Sequence, residues 1–250
     1  MTVAEVIIAL DVPSADEARA LVDRIGNRGD FYKVGLELYT RAGPSFVREL
    51  TGAGKRVFLD LKLHDIPNTV ASAVRAAADL HVDLFTIHAT GGRSMLEAAV
   101  EAVGGGPGRG AMPGTSRPSL RLLAITVLTS LDAAELGAAW GRSDPVISDE
   151  VARLTDLAVA TGMHGVVCSA AEADRVRVRT SGGFLIVTPG IRPAGTDVGD
   201  QKRVATPADA VAAGADYLVL GRAVTRAPDP GAALADVLDE VARATSAYRS

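Results

Sequence analysis

Cysteine, aromatic residues and long apolar runs are all scarce in this sequence. Only one of its 250 residues is cysteine, and only 4% are Phe, Trp or Tyr. A single cysteine excludes an internal disulfide, and the apolar run 165–168 that contains Cys168 predicts a small buried residue rather than a nucleophile. No run of about 18 apolar residues is present, and no signal peptide opens the chain. We therefore expect a cytoplasmic protein that does not interact with membranes.

Three familiar kinds of motif are missing as well. The first apolar run ends at Asp11 with no G-x-G-x-x-G after it, which argues against a dinucleotide-binding domain. The spacing of His64, His81 and His164 is not that of metal ligands, so we expect no histidine-based metal site. Ser130 has no evident His and Asp partners in the sequence, so a serine nucleophile is not expected.

The charge balance and the apolar content limit the class of protein further. The net charge is −4, which argues against a broad nucleic-acid surface but leaves room for a local basic pocket. Hydrophobic residues make up 48% of the chain, which is enough for a sizeable core. The length suits one large domain or two small ones. We therefore expect a globular protein without a nucleic-acid partner.

Short apolar runs alternate with amphipathic segments from one end of the chain to the other. We predict strands at residues 5–11, 31–36, 56–62, 82–88, 121–127, 164–168, 184–188 and 216–220. We predict helices near residues 14–26, 44–54, 67–80, 92–103, 148–161, 170–179, 206–213 and 229–247. Eight such units predict an α/β fold, a closed (β/α)₈ TIM barrel that forms a single catalytic domain over residues 1–250. An open doubly wound sheet is the alternative.

Two segments interrupt this alternation. Residues 104–119 are rich in Gly, Pro, Arg and Ser, and we interpret them as a flexible insertion at the non-catalytic end of the barrel, without an assigned function. Residues 188–205 form a long loop after the seventh strand, with Arg192 and Gln201 among several glycines. Long loops in compact domains are often lids, and this loop follows a strand end on the catalytic face of a barrel. We therefore predict a lid there.

The most informative stretch is residues 58–69, which read FLDLKLHDIPNT. Asp60 and Lys62 interrupt an apolar strand, and because strand side chains alternate faces, both should point the same way. Asp65 follows where the strand should end. Charges on a buried strand are costly unless they are paired. The array therefore predicts a catalytic cluster, and a structural ion pair that closes the strand end is the alternative.

Other polar residues should converge with this cluster, because all strands of a TIM barrel end at its catalytic face. The polar candidates lie in strand two (Lys33), at or just after the other strand ends (Asp11, Asp60, Lys62, Asp65, His88, Thr129, Ser130, Gly221 and Arg222) and on the loop after strand seven (Arg192 and Gln201). Lys33 could instead extend to the rim, but the expected proximity of two carboxylates favours a functional role. We interpret His88 as a supporting or core histidine.

Arg192 follows the seventh strand, and Gly221 and Arg222 follow the eighth. These are the positions of the usual phosphate site in TIM barrels, where backbone N–H groups and a forked guanidinium suit a phosphate dianion. The sequence therefore predicts a phosphorylated ligand.

Taken together, these motifs resemble the orotidine 5′-phosphate decarboxylase family of the bacterial type. They are DLKLHDIPNTV from Asp60, Leu10-Asp11, Lys33-Val34-Gly35, Leu128-Thr129-Ser130, TPGIRP from Thr188, Asp200-Gln201 and Leu220-Gly221-Arg222, in the family's order. The resemblance spans nearly the whole chain, and residues 104–119 are its main departure. The D-x-K-x-x-D core alone also resembles magnesium-dependent sugar-phosphate decarboxylases and aldolases, whereas the continuation HDIPNT favours the orotidylate enzymes.

The resemblance implies decarboxylation of orotidine 5′-phosphate to uridine 5′-phosphate (UMP), the last step of de novo UMP synthesis, with neither a metal nor a cofactor. It implies a homodimer in which Asp65 and Thr69 enter the partner's site, beside that subunit's Asp60 and Lys62. Catalysis would then rest on Lys62, Asp60, Asp65 and Lys33. A catalytically silent nucleotide-binding protein is an alternative of another class, against which the intact charged array argues.

The same resemblance implies roles in substrate binding. Asp11 would hold the ribose together with Lys33, and Ser130, next to Thr129, would meet the pyrimidine ring. Gln201 would bridge lid, base and phosphate. The phosphate would be bound by Arg192, Gly221 and Arg222.

Overall fold

Eight parallel strands close into a barrel in the computed structural model of this protein, which describes residues 3–104, 120–193 and 205–249. Each strand pairs with its neighbour in sequence, and the first pairs with the last through the register Glu5 to Tyr217 and Ile8 to Leu220. The prediction of a (β/α)₈ TIM barrel is confirmed, and the open doubly wound sheet is excluded. No helix in these ranges is long and apolar enough to cross a membrane.

The strands are β1 (Glu5–Ala9), β2 (Phe31–Gly35), β3 (Arg56–Leu63), β4 (Leu84–His88), β5 (Arg121–Ile125), β6 (Gly165–Val167), β7 (Leu185–Ile191) and β8 (Tyr217–Leu220). The helices are α1 (Ala15–Ile25), α2 (Leu36–Gly52), α3 (Pro67–Ala78), α4 (Arg93–Ala102), α5 (Ala133–Trp140), α6 (Ile147–Ala160), α7 (Ala170–Arg177), α8 (Pro207–Ala212), α9 (Arg222–Thr225) and α10 (Pro230–Arg249). All eight predicted strands are present, with ends that differ by at most three residues.

The helices differ from the prediction in three places. Helix α2 consists of two helical segments that meet at a kink, because the backbone of Gly43 is not helical, with φ 66° and ψ −170°. The predicted helix corresponds to the segment after Gly43, and the segment that begins at Leu36 was not predicted. Helix α5 was not predicted, because its Ala-rich sequence has little periodicity. It is capped by Asp132, whose side chain accepts a hydrogen bond from Glu135 N while the Glu135 carboxylate accepts one from Asp132 N. The one-turn helix α9 was not predicted either.

Two apolar layers follow from the alternation of side chains along the strands. In β1, Val6 and Ile8 pack toward the helices, whereas Ile7 and Ala9 pack inside the barrel. The interior cluster consists of Ile7, Ala9, Phe31, Phe58, Leu84, Leu123, Val187, Tyr217 and Val219. Because these side chains fill the barrel, a ligand site has to lie at one of its ends. Cys168 is 1% exposed and lies in the outer layer, as predicted.

Two predicted segments lie mostly outside the described residues. Of the insertion predicted at 104–119, only Gly104 is described. Of the lid predicted at 188–205, the described part is residues 188–193 together with Ala205. Ala205 forms an isolated parallel bridge with Ile191, and its carbonyl accepts a hydrogen bond of 2.9 Å from Arg192 N. The loop thus leaves and returns at the end of β7.

The buried His164 links β5 to the segment that leads into β6. Its Nδ1 accepts a hydrogen bond of 3.0 Å from Leu122 N, which requires that nitrogen to carry no proton. Burial, and then the positive charge of Arg121, lower the pKa of His164 to about 4. The folded protein therefore holds this imidazole in the neutral form.

We expect His164 to make the fold sensitive to acid. In the unfolded chain a histidine binds its proton near pH 6.5, whereas folded His164 binds it only near pH 4. Stability should therefore be complete above pH 6.5 and fall between pH 6.5 and 4, by about 3 kcal/mol at most from this group. Denaturant unfolding of the wild type and of His164→Asn, which keeps an acceptor for Leu122 N, should show a shallower fall in the variant.

The exposed His81 provides a matched control, since His81→Asn also removes one imidazole. Equal slopes of stability against pH in the wild type, His164→Asn and His81→Asn would contradict the role given to His164.

Candidate active site

A cavity of about 400 Å³ opens at the carboxyl ends of the strands. Eight of the residues predicted from the sequence line it: Asp11, Lys33, Asp60, Lys62, Thr129, Arg192, Gly221 and Arg222. They come from β2 and β3 and from the segments that follow β1, β5, β7 and β8. The convergence expected from the barrel topology is therefore present.

Two ammonium groups and two carboxylates alternate along one wall of the cavity. Lys33 Nζ lies 2.8 Å from Asp11 Oδ1 and 3.9 Å from Asp60 Oδ2, and Lys62 Nζ lies 2.7 Å from the same Asp60 oxygen. The side chains of Asp60 and Lys33 are only 11% and 12% exposed, whereas that of Lys62 is 38% exposed. Buried charges persist where they are paired in this way. The Lys62 side chain is thus the more accessible partner of the Asp60–Lys62 pair, and it lines the cavity in which a ligand would bind.

Strand β3 does not alternate regularly through this array. Its pairing with β4 joins Leu59 to Phe85 and Leu63 to Ile87, so the register shifts between these points. Lys62 has a φ of 53°, in the left-handed region that non-glycine residues rarely adopt. Asp60 and Lys62 point the same way, as expected, since their charged atoms are in contact. The reason differs from the one expected, because the strand is irregular between them and its side chains do not simply alternate.

Arginines from the segments after β7 and β8 also line the cavity. Arg192 follows β7, and Gly221 precedes the one-turn helix α9, which begins with Arg222. Arg226, at the end of that helix, also lines the cavity, although the sequence reasoning did not select it. Its position four residues after Arg222, on the same side of a helical turn, is the signal that could have found it. Three arginines in the lining of one cavity suit an anion with several oxygen atoms, such as a phosphate.

Three predicted site residues that the structure describes are not among those that line the cavity. Asp65 and Thr69 are exposed in a continuous exposed run over residues 64–69, and the Asp65 carboxylate accepts a hydrogen bond from Ile66 N. Ser130 is also exposed and does not line the cavity, whereas its neighbour Thr129 does. Gln201 lies outside the described residues.

His88, at the end of β4, is not among the residues that line the cavity, but it is close enough to Lys62 and Asp60 for their charges to act on it. Its ring centroid is 5.7 Å from that of His64. Burial, followed by the charges of His64 and Lys62, lowers the pKa of His88. An uncharged His88 beside Lys62 adds no positive charge to the cavity, which fits the supporting role predicted for it. Within residues 3–104, 120–193 and 205–249, no group of three His, Cys, Asp or Glu side chains could hold a metal ion.

A TIM barrel with a lysine–carboxylate array and several arginines in one cavity has the architecture of an enzyme for a phosphorylated small molecule. Comparison with known proteins specifies the family. Residues 4–237 match the Orotidine 5′-phosphate decarboxylase / HUMPS family. The chain belongs to this family, and the resemblance found in the sequence is confirmed.

Curated relatives match over nearly their whole length. Orotidine 5′-phosphate decarboxylase of Halorhodospira halophila is 52% identical over 238 residues, which cover 95% of this chain and 96% of that protein. The enzyme of the same name from Moorella thermoacetica is 47% identical over 95% of this chain and 92% of its own. Among solved structures, orotidine 5′-phosphate decarboxylase from Lactobacillus acidophilus superposes with a TM-score of 0.81 at 35% identity, covering 95% of this chain and 99% of that one.

The contact between Asp60 and Lys62 should be measurable in the folded protein. Asp60→Asn and Lys62→Met should show a coupling energy of about 0.5–3 kcal/mol in the free energy of unfolding, the range for side chains in direct contact. The reason is the 2.7 Å distance to a carboxylate that is mostly shielded from water. Denaturant unfolding of both single variants and the double variant gives this value.

The pair formed by Arg93 and Glu97 is the matched control. It is four residues apart on helix α4, and both side chains are about half exposed. Such a surface pair is worth about 0.3–0.5 kcal/mol. A coupling between Asp60 and Lys62 no larger than that of the control would contradict the arrangement described.

Proposed function

We propose that this protein decarboxylates orotidine 5′-phosphate to UMP and CO₂, the last step of de novo UMP synthesis, as a homodimer and without metal or cofactor. The observation that carries the proposal is the Lys62 ammonium, held 2.7 Å from Asp60 in a cavity that Arg192 and Arg222 also line. A cation paired with a carboxylate and two guanidinium groups in one cavity suit a substrate that reacts at one end and carries phosphate at the other. The family's name and the close relatives support the same reaction.

The chemistry explains why an ammonium is needed. Loss of CO₂ from carbon six of the pyrimidine leaves a carbanion with little delocalisation, and no organic cofactor takes part as an electron sink in this proposal. The protein must then stabilise the charge electrostatically. Lys62 opposes the developing negative charge and afterwards donates a proton to carbon six. Asp60 holds the ammonium in place for both steps.

The carboxylates have a second possible effect on the substrate. Asp60 lies beside Lys62, where the substrate carboxylate would have to sit, so like charges would raise the energy of the bound substrate. The substrate phosphate lies far from the bond that breaks, and its binding to Arg192 and Arg222 can offset this cost. Interactions remote from the reacting carbon thereby contribute to the rate.

The second subunit would complete the site. The cavity of one chain contains Asp60 and Lys62 but not Asp65, which lies in the exposed run 64–69. Ile66 in that run is 65% exposed, and contact with another copy would remove this apolar side chain from water. We therefore propose that Asp65 and Thr69 reach the partner's cavity.

The function is tested by the fall in absorbance when orotidine 5′-phosphate is consumed, with and without exhaustive chelation of metals. We expect equal rates in both conditions and a loss of at least about 10³-fold in kcat for Lys62→Ala, because proton donor and local cation are removed together. Lys55→Ala, just before the opposite end of β3, is the control and should remain active.

A requirement for added magnesium would move the assignment to the sugar-phosphate lyases that share the D-x-K-x-x-D core. Binding of UMP without turnover of the substrate would make this a nucleotide-binding protein. A Lys62→Ala protein with a tenth of the wild-type rate would refute the role of Lys62.

The shared site predicts complementation between two inactive variants. In a mixed dimer of Lys62→Ala and Asp65→Ala chains, one site receives both substitutions and the other neither. Subunit exchange should therefore restore about half of the wild-type activity per mixed dimer, if the sites act independently. If exchange is demonstrated by native mass spectrometry and activity stays at the level of the separate variants, Asp65 acts within its own chain.

A further inference from the structure

A threonine outside the cavity lining makes the only side-chain contacts recorded, within the described residues, to both the backbone of Lys62 and the carboxylate of Asp60. Thr86 lies in the middle of β4 and is completely buried. Its hydroxyl oxygen lies 2.9 Å from Lys62 N and 2.9 Å from Asp60 Oδ1. The direction of both hydrogen bonds is fixed by chemistry, because the amide can only donate and an ionised carboxylate can only accept.

The position of Thr86 in the sheet explains these two bonds. Regular pairing between β3 and β4 stops at Leu59 and resumes at Leu63, while β4 advances only from Phe85 to Ile87. Residues 60–62 of β3 therefore lie opposite a single residue of β4, Thr86, and the regular backbone hydrogen bonds between the two strands are interrupted there. The Thr86 hydroxyl gives the Lys62 amide an acceptor where β4 offers no regular ladder bond.

The second bond fixes the rotation of the Asp60 carboxylate. With Oδ1 held by Thr86, the other oxygen faces Lys62 Nζ at 2.7 Å and Lys33 Nζ at 3.9 Å. A carboxylate free to turn would not keep one oxygen directed at the ammonium. One hydroxyl thus restrains both partners of the ion pair, the lysine through its backbone and the aspartate through its side chain.

We propose that Thr86 is a positioning residue for the reaction, a proposal that rests on the proposed function. It holds Lys62 in its left-handed backbone conformation and Asp60 in the rotamer that faces the ammonium. It does not touch the substrate, since it is absent from the cavity lining. Its contribution lies in placing the ammonium at the reacting carbon, where a displacement of about 1 Å can lower the rate by about 10²-fold.

The test compares Thr86→Val, which keeps the shape and removes the hydroxyl, with Thr86→Ser, which keeps the hydroxyl. We expect kcat for orotidine 5′-phosphate to fall on the order of 10²-fold in Thr86→Val, with KM and the affinity for UMP nearly unchanged. Thr86→Ser should recover most of the wild-type kcat. Retention of wild-type kcat by Thr86→Val, a parallel loss of UMP affinity, or equal loss in Thr86→Ser would each overturn the proposal.

Thr155→Val controls for the loss of a buried hydroxyl. Thr155 is likewise completely buried, but its hydroxyl donates to Val151 O within helix α6, away from the cavity. If Thr155→Val is destabilised as much as Thr86→Val and keeps its activity, the effect at Thr86 is not one of folding. Equal loss of kcat in the two variants would show that the loss at Thr86 comes from impaired folding.

A crystal structure of Thr86→Val separates this proposal from the proposed function, because it needs no turnover. We expect the Asp60 carboxylate to rotate away from Lys62, or Lys62 to leave its left-handed conformation. An unchanged Asp60–Lys62 geometry would overturn the positioning role even in a fully active enzyme. Failure of the wild type to consume orotidine 5′-phosphate would instead overturn the proposed function and leave this structural test standing.

Discussion

The carboxylate of Asp60 is the group on which the candidate site depends, because groups from three neighbouring strands converge on it. Lys62 from its own strand and Lys33 from β2 approach one oxygen, and Thr86 from β4 donates to the other. A mostly buried carboxylate is stable only with such partners, and removing one leaves a charge without compensation. The arrangement is close to neutral in total, since Asp11 balances the second lysine. It therefore holds an ammonium at the cavity without a large unbalanced charge.

The strands of the barrel pair in regular register up to this array, and two of the strand pairs become irregular at the carboxyl ends, where the array lies. The interior is filled by apolar side chains such as Phe31, Phe58 and Leu123, so the lower part of the sheet keeps its register. The register shifts between Leu59 and Leu63 and again between Thr188 and Ile191, and both irregular stretches contribute to the cavity wall. An irregular backbone of this kind brings together side chains that a regularly paired strand would keep apart.

Much of this could be predicted from the sequence because it depends on local patterns. The apolar runs predict all eight strands, and the barrel topology then brings Asp11, Lys33 and Arg222 to one face. Alternation alone could not predict the left-handed Lys62 or the bonds made by Thr86, since both arise from a shifted register between two strands. Ser130 follows a strand end as Thr129 does, and only the path of the loop decides which of the two lines the cavity.

The role of Lys62 is tested most directly by a crystal structure of the protein with UMP bound. Lys62 Nζ should lie within about 3.5 Å of carbon six of the pyrimidine, the distance at which reacting atoms meet. The phosphate should lie among Arg192, Arg222 and Arg226, and Asp65 of a second subunit should lie beside Lys62. A nucleotide bound with its phosphate beside Lys62, or with carbon six away from Lys62, would contradict this role.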